Sequence, residues 1–203
     1  MENSTMQKTV LFYGDSNTYG YDPRFVYGGR YPAEVRWTDQ LRQALEGRWN
    51  VLDDGMNGRC IPSETGTRWF LSELKELPPV DLLAVMLGSN DYLNMRSPDP
   101  NAVAMKLKAF LDAVRDSGLV PEILVLSPPY IDFPEYPAFS RFSTRDGHLS
   151  AAIRAMVSEY PNGVFFENTE SWGLETAFDG VHLSPQGHRA FAEHMKAWFE
   201  ERL

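Results

Sequence analysis

Short apolar runs alternate with longer amphipathic stretches along this chain, and that alternation sets its predicted architecture. Runs at 8–13, 50–53, 81–87, 122–127 and 163–166 have the length and flanks of short buried strands. Between them, apolar residues recur at helical spacing near 34–47, 64–76, 101–117 and 144–159, with a last such stretch near 185–202. Asp99-Pro100 and Ser184-Pro185 each pair a capping side chain with a proline at the first helical position, and Gly118 is placed to stop the third helix. Strand and helix in regular alternation predict a five-stranded parallel sheet, covered on both faces and joined by right-handed crossovers. The expected class is therefore α/β, a three-layer α/β/α, flavodoxin-like arrangement. No repeat, low-complexity tract or linker divides the chain, so residues 1–203 are expected to form one domain.

Composition narrows the function classes. An apolar fraction of 43% and an aromatic fraction of 13% are globular values. The formal net charge of −9 and pI near 4.9 argue against nucleic acid or an anionic membrane as partner. A lone cysteine, Cys60, rules out an internal disulfide framework and a CxxC motif. Glu167, Glu170 and Glu175 lack metal-type spacing with any histidine, so no metal is expected. Without GxGxxG or GxxxxGK[ST], no nucleotide cofactor is expected either. The stretch Met1–Lys8 shows no leader pattern and no run reaches membrane-spanning length, so a cytoplasmic location is expected.

Candidate chemistry sits where strands end. Gly14-Asp15-Ser16 follows the first apolar run, and open α/β sheets bind ligands just beyond the carboxyl ends of their strands. A serine hydroxyl becomes a nucleophile only with a base to take its proton and a third group to orient that base. Of His148, His182, His188 and His194, only His182 has an acid three residues before it, in Asp179-Gly-Val-His182. His188 shares a helical stripe with Phe191, Met195 and Trp198 and reads as a packed core histidine with its hydrogen bonds satisfied. Two further strand ends offer donors for an oxyanion: the side-chain amide of Asn90 in Gly88-Ser-Asn90-Asp91, and the backbone N–H of Gly58. Arg36 and Arg59 read as structural arginines, Asp15 as a structural residue, and Asp91 as a turn-former beside Asn90. The GxSxG elbow of the α/β-hydrolases is absent.

These blocks, in this order, resemble the SGNH (GDSL-type) hydrolases over nearly the whole chain. Val35-Arg36-Trp37, Met86-Leu87-Gly88 and Leu124-Val-Leu-Ser-Pro-Pro129 are similar to the arylesterase and acyltransferase branch. The resemblance implies Ser16 as nucleophile, His182 as base, Asp179 as its orienter, and the Ser16 N–H, Gly58 N–H and Asn90 as an oxyanion hole. It also implies a homo-oligomer. Asn17 stands where the family usually has leucine, and Asp54 where asparagine is common.

Two loops are rich in aromatics: 19–37, with Tyr19, Tyr21, Phe25, Tyr27, Tyr31 and Trp37, and 130–142, with Tyr130, Phe133, Tyr136, Phe139 and Phe142. They suit either the wall of a substrate pocket or a subunit interface. The expected function is a cofactor-independent serine esterase for short-chain aryl, alkyl or acetyl esters, with acyl transfer as a side activity. Carbohydrate deacetylation, thioester or lysophospholipid hydrolysis, and non-catalytic small-molecule binding are the alternatives.

Overall fold

The computed structural model describes residues 7–25 and 27–202. The amino-terminal stretch read for a leader lies largely outside them. Five strands, β1 (Lys8–Gly14), β2 (Trp49–Gly55), β3 (Leu82–Met86), β4 (Glu122–Leu126) and β5 (Val164–Glu167), form one sheet in the order β2-β1-β3-β4-β5. Every neighbouring pair is parallel. Among the described residues seven α-helices accompany them: α1 (Ser16–Tyr19), α2 (Trp37–Ala44), α3 (Glu64–Glu76), α4 (Ser89–Leu93), α5 (Pro100–Ser117), α6 (His148–Val157) and α7 (Pro185–Glu200). The predicted α/β class is the one observed.

Period-two alternation in the strands divides the core in two. Leu11, Tyr13, Leu83 and Val85 face α3, α5 and α6 in a mainly aliphatic layer with Leu107, Leu111 and Ile153. Val10, Phe12, Ala84 and Met86 face α2 and α7, where Trp37, Phe191, Trp198 and Phe199 make an aromatic layer. The caps expected for two helices are present: Asp99 accepts from the N–H groups of Asn101 and Ala102, and Ser184 from that of Gly187.

The differences from the expected boundaries have local causes. β2 extends to Gly55 although Asp53 and Asp54 interrupt its apolar run. It is an edge strand, paired in register with β1 up to Gly14, and Arg30, Arg42 and Arg59 neutralise the two carboxylates. The second helix starts at Trp37, because residues 32–36 form a turn on the Pro32 carbonyl. Helix α6 starts at His148, after a turn closed by the Gly147 N–H on the Thr144 carbonyl. The short helices α1 and α4 were not expected, since one turn is too short to show a period.

The strand order reverses at β1, which has β2 on one side and β3 on the other. A crevice therefore opens beyond the carboxyl ends of β1 and β3. Ser16 follows β1 and Asn90 follows β3, so the sheet delivers both candidate residues to one place.

Candidate active site

The turn that carries Ser16 is fixed by the residue before it. Asp15 caps α1 from an extended conformation, its Oδ1 accepting from the Asn17 N–H at 2.9 Å. Burial pushes the Asp15 carboxyl up, against the Asn17 N–H and other groups that favour its ionised form. Ser16 opens the helix, and its hydroxyl reaches toward the late loop before α7.

There the Ser16 Oγ lies 2.9 Å from His182 Nε2, and His182 Nδ1 lies 2.5 Å from Asp179 Oδ2. The other carboxylate oxygen, Asp179 Oδ1, accepts from the N–H groups of Val181 and His182, both at 3.1 Å. Burial alone would raise the Asp179 carboxyl, but its hydrogen bonds and the imidazole outweigh burial and hold it below its ordinary value. An ionised Asp179 accepts a hydrogen bond from Nδ1–H and keeps the ring proton on that nitrogen, which leaves the Nε2 lone pair facing the serine hydroxyl. The three-residue spacing noted in the sequence thus closes into a hydrogen-bonded series.

The loop that presents His182 is doubled back on itself. Ala177 N–H donates to the His182 carbonyl at 2.7 Å, and Thr176 and Leu183 form an antiparallel bridge. Gly180 sits at φ +71, and a Cβ there would lie 1.7 Å from the Asp132 carbonyl oxygen. Only glycine satisfies both constraints.

On the opposite side, Gly58 sits at φ +73 in a turn where an added Cβ would meet nothing. Its glycine answers to backbone conformation rather than to crowding by neighbours. Asn90 Nδ2 donates to the Arg59 carbonyl at 3.1 Å, so α4 is tied to the Gly58 turn next to the other predicted oxyanion donor. Among the described residues, neither the Ser16 N–H nor the Gly58 N–H donates to a protein acceptor. Both remain free to hold an oxyanion.

The profile of the GDSL-like lipase/acylhydrolase family matches residues 12–190. The chain belongs to that family. It is accordingly a carboxylic ester hydrolase of the SGNH type. The acylhydrolase is 27% identical to the GDSL lipase Rv0518 of Mycobacterium tuberculosis over 191 residues, 91% of this chain and 78% of that one. Among solved structures it is similar to a carbohydrate acetylesterase family member from Sinorhizobium meliloti, with TM-score 0.79, 28% identity and coverage of 96% and 98% of the two chains. It is similar also to the native aryl esterase of M. smegmatis, with TM-score 0.78, 26% identity and coverage of 97% and 100%.

Other residues of the acylhydrolase singled out in the sequence resolve individually. Arg59 is a clasp: its guanidinium donates to the Gly14 carbonyl at 2.9 Å, pairs with Asp54 at 2.7 Å, and stacks over Tyr13. Asp54, in the place where asparagine is common, is what holds it. Asp91 is more than a turn-former, since its buried carboxylate accepts from the Ile61 N–H at 2.8 Å and pairs with Lys106. Cys60 is half-buried, with the Asn94 amide 3.6 Å from its Sγ. His188 is fully buried, as its stripe suggested. Its Nδ1 accepts from the Trp37 N–H at 3.4 Å, but Nε2 has no partner among the described residues, so the ring is packed without being fully satisfied as expected. Burial, with smaller effects from His182 and Arg36, holds its pKa down to about 3.

The aromatic loops flank the series. Tyr21 packs on His182 with ring centroids 4.6 Å apart. Phe133, Tyr136, Phe139, Phe142, Phe178 and Leu93 line a cleft of about 370 Å³ that reaches Asp179. A larger cleft, of about 810 Å³, runs along β2 and α3. Neither Ser16, His182 nor Asn90 lines it, so its volume is unrelated to this chemistry. Among the described residues, no helix is long and apolar enough to cross a membrane.

Proposed function

We propose that this acylhydrolase is a serine esterase for short-chain carboxylic esters, working through an acyl-enzyme. The hydrogen-bonded series Ser16–His182–Asp179 carries the reading. His182 takes the Ser16 proton as Oγ attacks the ester carbonyl, and Asp179 stabilises the imidazolium. The oxyanion is met by the Ser16 and Gly58 N–H groups and the Asn90 amide. The imidazolium then returns its proton to the departing alcohol. Water, activated by the same histidine, attacks the acyl-enzyme and releases the carboxylic acid. A second alcohol in place of that water makes the product a new ester, which is the acyltransferase side of the reading.

The cleft beside Asp179 supports apolar acyl or aryl groups of modest size. Acetylated sugar is a second reading, favoured by the same aromatic walls, which suit stacking on a saccharide, and by the acetylesterase likeness. Phe25 and Tyr27, 60% and 102% exposed, favour a homo-oligomer within this reading.

Hydrolysis of p-nitrophenyl acetate, butyrate and octanoate by wild type and Ser16→Ala tests the proposal. The variant should lose about 10⁴-fold or more in kcat, and wild-type rates should fall with chain length. Undiminished turnover by Ser16→Ala overturns it. Faster release of acetate from acetylated saccharides than from aryl acetates shifts the substrate class to the second reading.

A further inference from the structure

The residue after the proposed nucleophile is bound to both flanks of the proposed base. Asn17 Nδ2 donates to the Val181 carbonyl at 3.1 Å, and Asn17 Oδ1 accepts from the Leu183 N–H at 2.8 Å. One carboxamide therefore brackets His182. It is 3% exposed, where such hydrogen bonds are shielded from competing water. Its own backbone is fixed as well. The Asn17 N–H donates to Asp15, and the Asn17 carbonyl accepts from the buried Trp37 Nε1 at 2.9 Å.

We propose that Asn17 is a positioning residue, a carboxamide clip that sets the His182 imidazole against the Ser16 hydroxyl. The proposal rests on the reading of Ser16 and His182 as nucleophile and base. Ser16 and His182 are 166 residues apart and belong to different elements, so their 2.9 Å contact depends on how α1 and the late loop are tied together. Asn17 is adjacent in sequence to Ser16, so a shift of the loop relative to Asn17 is a shift of the base relative to the nucleophile. Leucine, the family's usual residue at this position, has comparable bulk but neither donor nor acceptor. It leaves the Leu183 N–H and the Val181 carbonyl to find other partners. Misplacement of reacting groups by about 1 Å costs on the order of 100-fold in rate.

The test is a set of single and double variants assayed on p-nitrophenyl acetate, with folding followed by circular dichroism and thermal melting. Asn17→Leu should lower kcat by roughly 10- to 100-fold and leave KM within about twofold, because the loss is of alignment and not of substrate contacts. In a His182→Ala background the same substitution should change the residual rate by less than about twofold, since there is no base left to position. A purely structural defect, including one that disturbs the oxyanion donors, would carry over into that background. A full-size drop there overturns the proposal, as does a kcat for Asn17→Leu within about twofold of wild type. If Asn17→Leu is not recovered folded, Asn17→Asp decides by the same two comparisons, since it keeps Oδ1 for the Leu183 N–H and loses the Val181 contact. Ser16→Ala and His182→Ala serve as controls. Full activity in either one brings down the underlying reading, whereas their inactivity beside an unaffected Asn17 variant brings down the clip alone.

Discussion

Ser16 and His182 meet across a single hydrogen bond, yet the chain holds them by different means. Ser16 is placed by regular structure: it leaves a central strand, enters a capped turn, and is 6% exposed. His182 lies in a loop, and its position depends on Asp179 of the same loop and on contacts borrowed from distant segments, namely Asn17 on its flanks and Asp132 against Gly180. One half of the site comes with the sheet. The other is assembled by side chains and carbonyls whose removal leaves the sheet untouched. Perturbing the loop should therefore cost rate with little loss of the core, whereas perturbing the packing under the nucleophile should show first in stability.

The largest effect expected on the loop side is from Asp179→Asn. It preserves shape but removes the charge that stabilises the imidazolium and selects its tautomer, so kcat should fall by about 10⁴-fold with only a small change in melting temperature. An Asp179→Asn enzyme within tenfold of wild type, roughly 1.4 kcal/mol in barrier, would mean that the loop does not need its carboxylate. Gly180→Ala comes next. The added methyl demands a positive φ and meets the Asp132 carbonyl, so the loop must move. About 100-fold lower kcat and about 1–3 kcal/mol lower stability are expected, read by kinetics and by urea denaturation.

The smallest effect is on the nucleophile side and concerns pH. His188 packs edge-on against Tyr31 and accepts from the N–H of Trp37, whose indole N–H in turn donates to the Asn17 carbonyl of α1. Its pKa is about 3 when folded against an ordinary 6.5. As pH falls below 6.5 the unfolded chain takes up this proton first, so stability is lost progressively from there toward pH 3. Asp179, lowered from 3.8, adds its own loss only as pH falls below 3.8. His188→Gln should flatten melting temperature against pH between those two values, leaving kcat near neutral pH within about twofold. An unchanged slope would show that the buried imidazole does not govern acid sensitivity.

Much of this was legible in the chain because each signal was local. Five apolar runs sufficed for the sheet, and Asp99-Pro100 and Ser184-Pro185 marked two helix starts within a residue. The same holds for Asp179 and His182, whose contact spans three positions. What escaped was relational. Nothing in Asp53-Asp54 says that they lie on an edge strand facing arginines, so β2 was expected to end early. The part played by Asn17 depends on two backbone groups more than 160 residues away, which no spacing rule reaches. Tyr21 was visible as an aromatic in a loop, but its packing on His182 follows only from how that loop folds over α1.

The charges along β2 bear on how copies of this chain meet in a crowded solution. Asp53 pairs with both Arg30 and Arg42, and Arg42 also pairs with Asp39 and donates to the Val51 carbonyl. That lattice occupies the rim where the sheet would otherwise offer unpaired backbone to a passing strand. Another chain adding there would have to displace several charged side chains before making its first ladder bond. Lateral addition of a strand to the β2 edge of the sheet is thereby discouraged.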